Sequence, residues 1–184
     1  LHTLIKAVAS QRSKVMVEVV GGLSAEPKYA EEMQRFVAVN GLHLHLAQVQ
    51  VSSMVTFHGA LDKGPLAEKF RNAHILVVPS SYEGFGIVYL EGMSFGLPAI
   101  GAKAGGAQEI IQHGHNGFLV EPGDVESLSA HISNLATDRQ KLVEMSLAAR
   151  RSFESHPSWE MTGAQIREFL LTIIEKRDVE STPA

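Results

Sequence analysis

The chain has 184 residues, enough for one domain with a substantial core. It is 45% hydrophobic with acids and bases interspersed at a net charge of −4, which excludes a disordered chain and gives no basic stripe for nucleic acid. Cysteine is absent, so disulfides and thiolate metal sites are excluded, and no apolar run reaches the roughly 20 residues of a membrane-spanning helix.

Helix and strand patterns alternate along the chain, as in an α/β fold with a parallel sheet. Residues 2–11 read as a helix with Leu4, Ile5 and Val8 on one face. This helix opens the chain without a preceding cap or an initiator Met, and the chain is expected to be a fragment. Residues 15–20 form a strand closed by Gly21-Gly22. The next helix has Pro27 near its first turn and Asn40-Gly41 as its stop. Residues 42–51 alternate apolar and polar at period two, as a strand extension or an inserted hairpin arm, and are assigned as strand.

Residues 55–59 are a strand and its exit turn, Pro65 opens a helix to about Ala73, and Ile75-Leu76-Val77-Val78 reads as a buried parallel strand. After the helix that contains Glu91, Gly96-Leu97-Pro98 punctuates the chain and residues 99–101 form a minimal strand. Gly105-Gly106 precedes a short helix from Ala107 to about Gln112, and residues 117–120 are the last strand. Asp124 is placed as a helix N-cap. Helices then occupy roughly residues 125–136, 138–153 and 160–176, with Trp159 as a packing anchor and residues 177–184 as a flexible tail.

The segment from Pro79 to Glu91 is the richest in chemistry. It follows the 75–78 strand, carries Glu83 in a loop beside Gly84-Phe85-Gly86, and enters a helix that contains Glu91. A helix start offers unpaired N–H groups and a positive dipole end, which suit phosphate. Carboxylates accept hydrogen bonds from a diol. Phosphate with sugar hydroxyls points to a sugar nucleotide, in the cleft beyond the carboxyl ends of the strands. The plain alternative makes Glu83 a surface loop acid and Glu91 a solvated helix position. Against it, Glu91 has Val88, Tyr89, Leu90, Met93 and Phe95 for neighbours, and a carboxylate among apolar groups needs a partner. Gly105-Gly106 is a second glycine loop before a helix, a weak anion signal alone. His43 and His45 share a strand face, but without a third ligand at defined spacing they read as solvated histidines.

From about Leu4 to Phe169 the order of motifs resembles the C-terminal half of the GT-B glycosyltransferases, specifically the large retaining group called glycosyltransferase family 4 (group 1). The resemblance is carried by Pro79-Ser80, Glu83 and Glu91 with seven residues between them, Gly96-Leu97-Pro98, and Gly105-Gly106-x-x-Glu109-Ile110-Ile111. It continues through Gly114-x-Asn116-Gly117-Phe118-Leu119-Val120 and Pro122-Gly123-Asp124 to Trp159-Glu160. The fold it implies is a Rossmann-like parallel sheet flanked by helices, with residues 1–176 as a donor-binding domain lacking its first strand. The activity it implies is transfer of a sugar from a nucleoside-diphosphate sugar to an acceptor hydroxyl, with retention of configuration.

By the same resemblance, Glu83 contacts the donor sugar and is the catalytic candidate, and Glu91 accepts both ribose hydroxyls. Gly84 and the backbone N–H groups of Phe85, Gly86, Ile87 and Val88 face the sugar and diphosphate, and His58 and Gly59 border the nucleobase. Neither a metal nor a cofactor is implied. The acceptor belongs to an N-terminal domain absent from this chain, and nucleic acid is not a partner. A cytoplasmic parent, with room for peripheral membrane association, is the expected setting. The family's usual opening strand and Gly-Arg…Lys segment are also missing, so the isolated chain is expected to bind donor weakly and turn nothing over. The segment at 42–52 is longer than the family usually carries. Two rival readings are a GT-B-fold sugar-nucleotide epimerase fragment and a non-catalytic module that binds a partner protein. The base (UDP, GDP or ADP), the sugar and the acceptor stay open.

Overall fold

A computed structural model describes residues 1–11, 14–24, 26–39, 53–80 and 84–180. The period-two segment with His43 and His45 and the loop carrying Glu83 lie outside the described residues. The elements in chain order are α1 (His2–Ala9), β1 (Val15–Val20), α2 (Pro27–Val39), β2 (Ser53–Gly59), α3 (Lys63–Asn72), β3 (Leu76–Val78) and α4 (Ile87–Ser94). Then follow β4 (Ala99–Ala102), α5 (Ala107–Ile110), β5 (Gly117–Val120), α6 (Val125–Thr137), α7 (Arg139–Ser155) and α8 (Trp159–Glu180). The α/β alternation matches the expectation within a few residues at each end.

The strands bond as two parallel sheets, β1-β2 and β3-β4-β5. Their side chains alternate between faces as a strand's period of two requires. On one face Val17, Val55, Val77, Ile100, Phe118 and Val120 meet the apolar stripes of α1, α2, α6 and α7 in a single core. On the other face of β3-β4-β5 a second core gathers Leu76, Val78, Ala99 and Leu119 with Tyr89 and Met93 of α4 and Ala107 of α5. The sheet therefore has helices on both sides, which is why its strands read as continuous apolar runs.

The β1-β2 sheet differs. Its second face carries Met16, which is 65% exposed, and a polar cluster. Glu18 of β1 accepts a hydrogen bond from the imidazole of His58 on β2 and from Lys69 Nζ of α3, the latter at 2.7 Å. Partial burial pushes the Glu18 carboxyl up, but the hydrogen bonds and charges of Lys69 and His58 outweigh it and hold the group below its ordinary value.

Two polar devices close the other ends. Asp124 caps α6 by accepting from the Ser127 N–H at 2.9 Å, as its sequence position predicts. Asn116 is fully buried between α5, β5 and α7. Its Oδ1 accepts from the Gln112 N–H at 2.8 Å, and its Nδ2 donates to the Ile110 carbonyl and the Ser152 hydroxyl, both at 3.0 Å.

The chain divides into two compact units, Leu1–Phe153 and Glu154–Ala184. In the second unit α8 begins at Trp159 and runs to Glu180. Trp159, read as a packing anchor, is 84% exposed among the described residues. Its place at the first helical position, beside polar Ser158 and Glu160, gave the sequence no means of distinguishing the two.

Replacing Asn116 by Ala takes a partner from the Gln112 N–H, the Ile110 carbonyl and the Ser152 hydroxyl, and is expected to cost about 1–3 kcal/mol, read from urea unfolding. A carboxyl held low in the fold adds stability above its ordinary pKa and loses it as pH falls through the depressed value. The stability gap between wild type and Glu18→Gln should therefore narrow as pH falls through the ordinary carboxylate range and below it in denaturant titrations.

Candidate functional site

The site is built at the carboxyl end of β3. Val78 ends the strand, and the chain returns through Gly84-Phe85-Gly86 into α4. Gly86 is the N-cap residue at φ 70°, the left-handed region that glycine enters without strain. Glycine has no side chain with which to cap the helix, so the N-cap residue itself claims none of the first-turn N–H groups. Gly84, Phe85 and Ile87 are exposed, with Phe85 at 86%. Gly86 is buried beneath them and Val88 is half-buried.

The base of the loop is fixed by Tyr89. This ring is fully buried, and its hydroxyl donates to the Val78 carbonyl at 3.0 Å. The Tyr89 N–H also bonds the Gly86 carbonyl at 2.9 Å, which turns the chain into the helix.

Glu91 lies one turn beyond Ile87 on the same outward face of α4 and is exposed. The argument that it needs a partner because of apolar neighbours therefore does not apply. Of those neighbours Tyr89 and Met93 are buried, and the helical turn separates them from Glu91, while Val88 and Leu90 are half-buried and Phe95 is exposed. Among the described residues its carboxylate forms no ion pair or side-chain hydrogen bond, so both oxygens can accept from a ligand.

The other predicted site residues lie elsewhere. His58 and Gly59 end β2 in the other sheet, where the Gly59 carbonyl accepts from the Gly21 N–H at 2.9 Å. The His58 ring is turned onto Glu18. Sequence reasoning missed Glu18 and Lys69, because a cross-strand partner on a parallel neighbour depends on a register that the sequence does not disclose. Lys103 follows β4 and forms an exposed ion pair with Glu121 after β5 at 2.7 Å. Exposed pairs of this kind are weak and exchange readily for a stronger partner. A polar cleft between His115 and Lys141, Glu144 and Arg151 of α7 lies at the amino end of β5. Ligands of open α/β sheets bind at the opposite end.

Three comparisons bear on this geometry. The family model described as glycosyl transferases group 1 matches residues 1–152. The chain is 32% identical over 164 residues to D-inositol 3-phosphate glycosyltransferase of Streptomyces griseus, covering 85% of this chain and 33% of that protein. It is 38% identical over 114 residues to sulfoquinovosyl transferase SQD2 of Arabidopsis thaliana, covering 60% of this chain and 22% of that protein. Among solved structures, Anabaena Alr3699/HepE in complex with UDP-glucose superposes with a TM-score of 0.79 at 30% identity, covering 93% of this chain and 44% of that one. The C-terminal domain of a Francisella tularensis group 1 glycosyl transferase, LpcC, shares the fold at a TM-score of 0.61 and 19% identity, over 83% of this chain and 96% of that one. The chain thus spans a fifth to under a half of the full-length relatives named here. The parallel sheets flanked by helices match GT-B glycosyltransferase structures, and the chain belongs to the glycosyl transferases group 1 family.

Proposed function

We propose that this chain supplies the donor-binding part of a retaining glycosyltransferase of family 4, which moves a sugar from a nucleoside-diphosphate sugar to an acceptor hydroxyl. The observation that carries the reading is the glycine-capped start of α4 at the carboxyl end of β3, with Glu91 exposed on the same helix. The amides of Phe85, Gly86, Ile87 and Val88 face the diphosphate. As the bond from the sugar to the diphosphate breaks, its electron pair stays with the leaving phosphate oxygen. Those amides then stabilise the growing charge, an electrostatic role that needs no metal. Glu91 accepts from both ribose hydroxyls, and Glu83 contacts the sugar and acts in catalysis. Gly84 lets the donor come close to the backbone. Gly59 and the backbone of His58 border the base, since the His58 ring is held by Glu18. Lys103 becomes a phosphate partner by leaving Glu121.

The complex of Anabaena HepE with UDP-glucose supports a nucleotide sugar as the donor. Transfer itself, on this reading, belongs to a longer cytoplasmic protein whose other domain holds the acceptor, and the present stretch alone binds donor without turnover. Residues of β1 and β3 line one core, yet among the described residues β1 bonds to β2 and β3 to β4, with no strand between them. That arrangement supports a further parallel strand between them, supplied by the longer protein.

Calorimetry with UDP, GDP and ADP should give binding for at least one of the three. In steady-state kinetics of the longer protein, Glu91→Ala should raise the donor KM by about 10-fold or more, the value of one to two charged hydrogen bonds. Glu83→Ala should act mainly on kcat. Wild-type kinetics in both variants would sink the assignment.

A further inference from the structure

Gly105-Gly106 has no part in the donor reading, yet the loop before α4 rests on it. A Cβ on Gly106 would stand 2.5 Å from the Phe85 carbonyl carbon, 2.8 Å from its oxygen and 2.9 Å from the Gly86 nitrogen. The contact is reciprocal. A Cβ on Gly86 would stand 2.8 Å from Ile110 Cδ1 and 3.1 Å from the Gly106 carbonyl oxygen. The peptide that joins Phe85 to Gly86 thus lies against the start of α5, with no room for a methyl group on either side.

The surface beneath it is itself anchored. Ala107 is fully buried, and the Ile111 N–H bonds the Ala107 carbonyl at 2.9 Å. At the far end of α5 the buried Asn116 holds the Ile110 carbonyl at 3.0 Å. Above the contact, Phe85 and Ile87 are exposed. The support from below therefore bears directly on where the amides of residues 85–88 point.

We infer that Gly106 and Ile110 are positioning residues for the donor, with α5 acting as the mould that sets the 84–86 loop. Neither touches the ligand; each acts through the backbone of Phe85 and Gly86. This rests on the donor-site reading given above. A methyl group on Gly106 would have to lift the loop by on the order of 1 Å, a misplacement that can cost a preorganised site about 100-fold.

The test uses the longer protein labelled with 15N-glycine, in four forms: wild type, Gly106→Ala, Ile110→Val and Ile132→Val. Ile110→Val removes only the Cδ1 atom that fills the notch at Gly86, while Ile132→Val makes the same deletion in the buried core of α6. Gly106→Ala and Ile110→Val should move the Gly84 and Gly86 amide resonances. They should weaken diphosphate binding by about 100-fold and about 3-fold respectively. Ile132→Val should lower the melting temperature and leave both readouts alone. Unmoved Gly84 and Gly86 amides in Ile110→Val and Gly106→Ala would overturn the inference, and so would an equal loss of affinity in Ile132→Val. If the wild type binds none of UDP, GDP and ADP, the donor reading falls, and the amide shifts alone decide whether α5 positions the loop.

Discussion

The candidate site depends on the burial of one tyrosine. Tyr89 is inaccessible, and its hydroxyl satisfies the carbonyl of Val78 at the point where β3 stops. A buried carbonyl without a partner is costly, so the hydrogen bond fixes where the strand ends and where the return loop begins. The ring then dictates its neighbours. A Cβ on Gly101 would stand 2.9 Å from the Tyr89 hydroxyl oxygen, and one on Gly86 would stand 3.1 Å from its Cδ2. Strand β4 must therefore carry glycine beside the ring, and the cap of α4 must carry glycine above it. A single large side chain sets the spacing between β3, β4 and the loop that opens α4.

The same side of the molecule is treated differently in its two sheets. Around β3-β4-β5 the second face is closed by α4 and α5 into a small apolar core. On β1-β2 it carries exposed Met16 and the cluster of Glu18, His58 and Lys69. That cluster ties two strands and α3 by charge where the other sheet uses packing. Such ties are sensitive to pH and salt, whereas the core under the 84–88 segment is not. The part of the fold that places α4 is thus the part least dependent on solution conditions.

Much of this was legible in the sequence because the signals are local. The β strands announce themselves as short β-branched runs, and Asp124 as an N-cap of α6. The loop into α4 stands out because two glycines flank an aromatic residue directly after a strand. What was not legible depends on the partner of a residue. Glu91 has apolar neighbours in sequence, but the helical turn sends Tyr89 and Met93 inward and leaves Glu91 on the surface. Gly105-Gly106 looks like a second anion loop until its partner, the peptide between Phe85 and Gly86, is known. His58 looks available for a ligand until the register of β1 against β2 brings Glu18 beside it. Trp159 is a similar case, since an aromatic at a helix start carries no record of what surrounds it.

These particulars converge on how an anion would be held. Between residues 79 and 106 the one basic side chain is Lys103, and it is engaged with Glu121. On the donor reading, what this segment itself offers a diphosphate, besides Lys103, is the backbone N–H groups and the dipole at the α4 start. Backbone donors cannot swing toward a ligand as a lysine can; they point where the chain points. A site of this kind gains its strength from preorganisation, so a small error in the loop costs more here than in a site built from flexible cations. That requirement gives a common reason for the buried Tyr89, the left-handed Gly86 and the bare Gly106. Each removes a freedom from the peptide that must present its N–H groups in one direction.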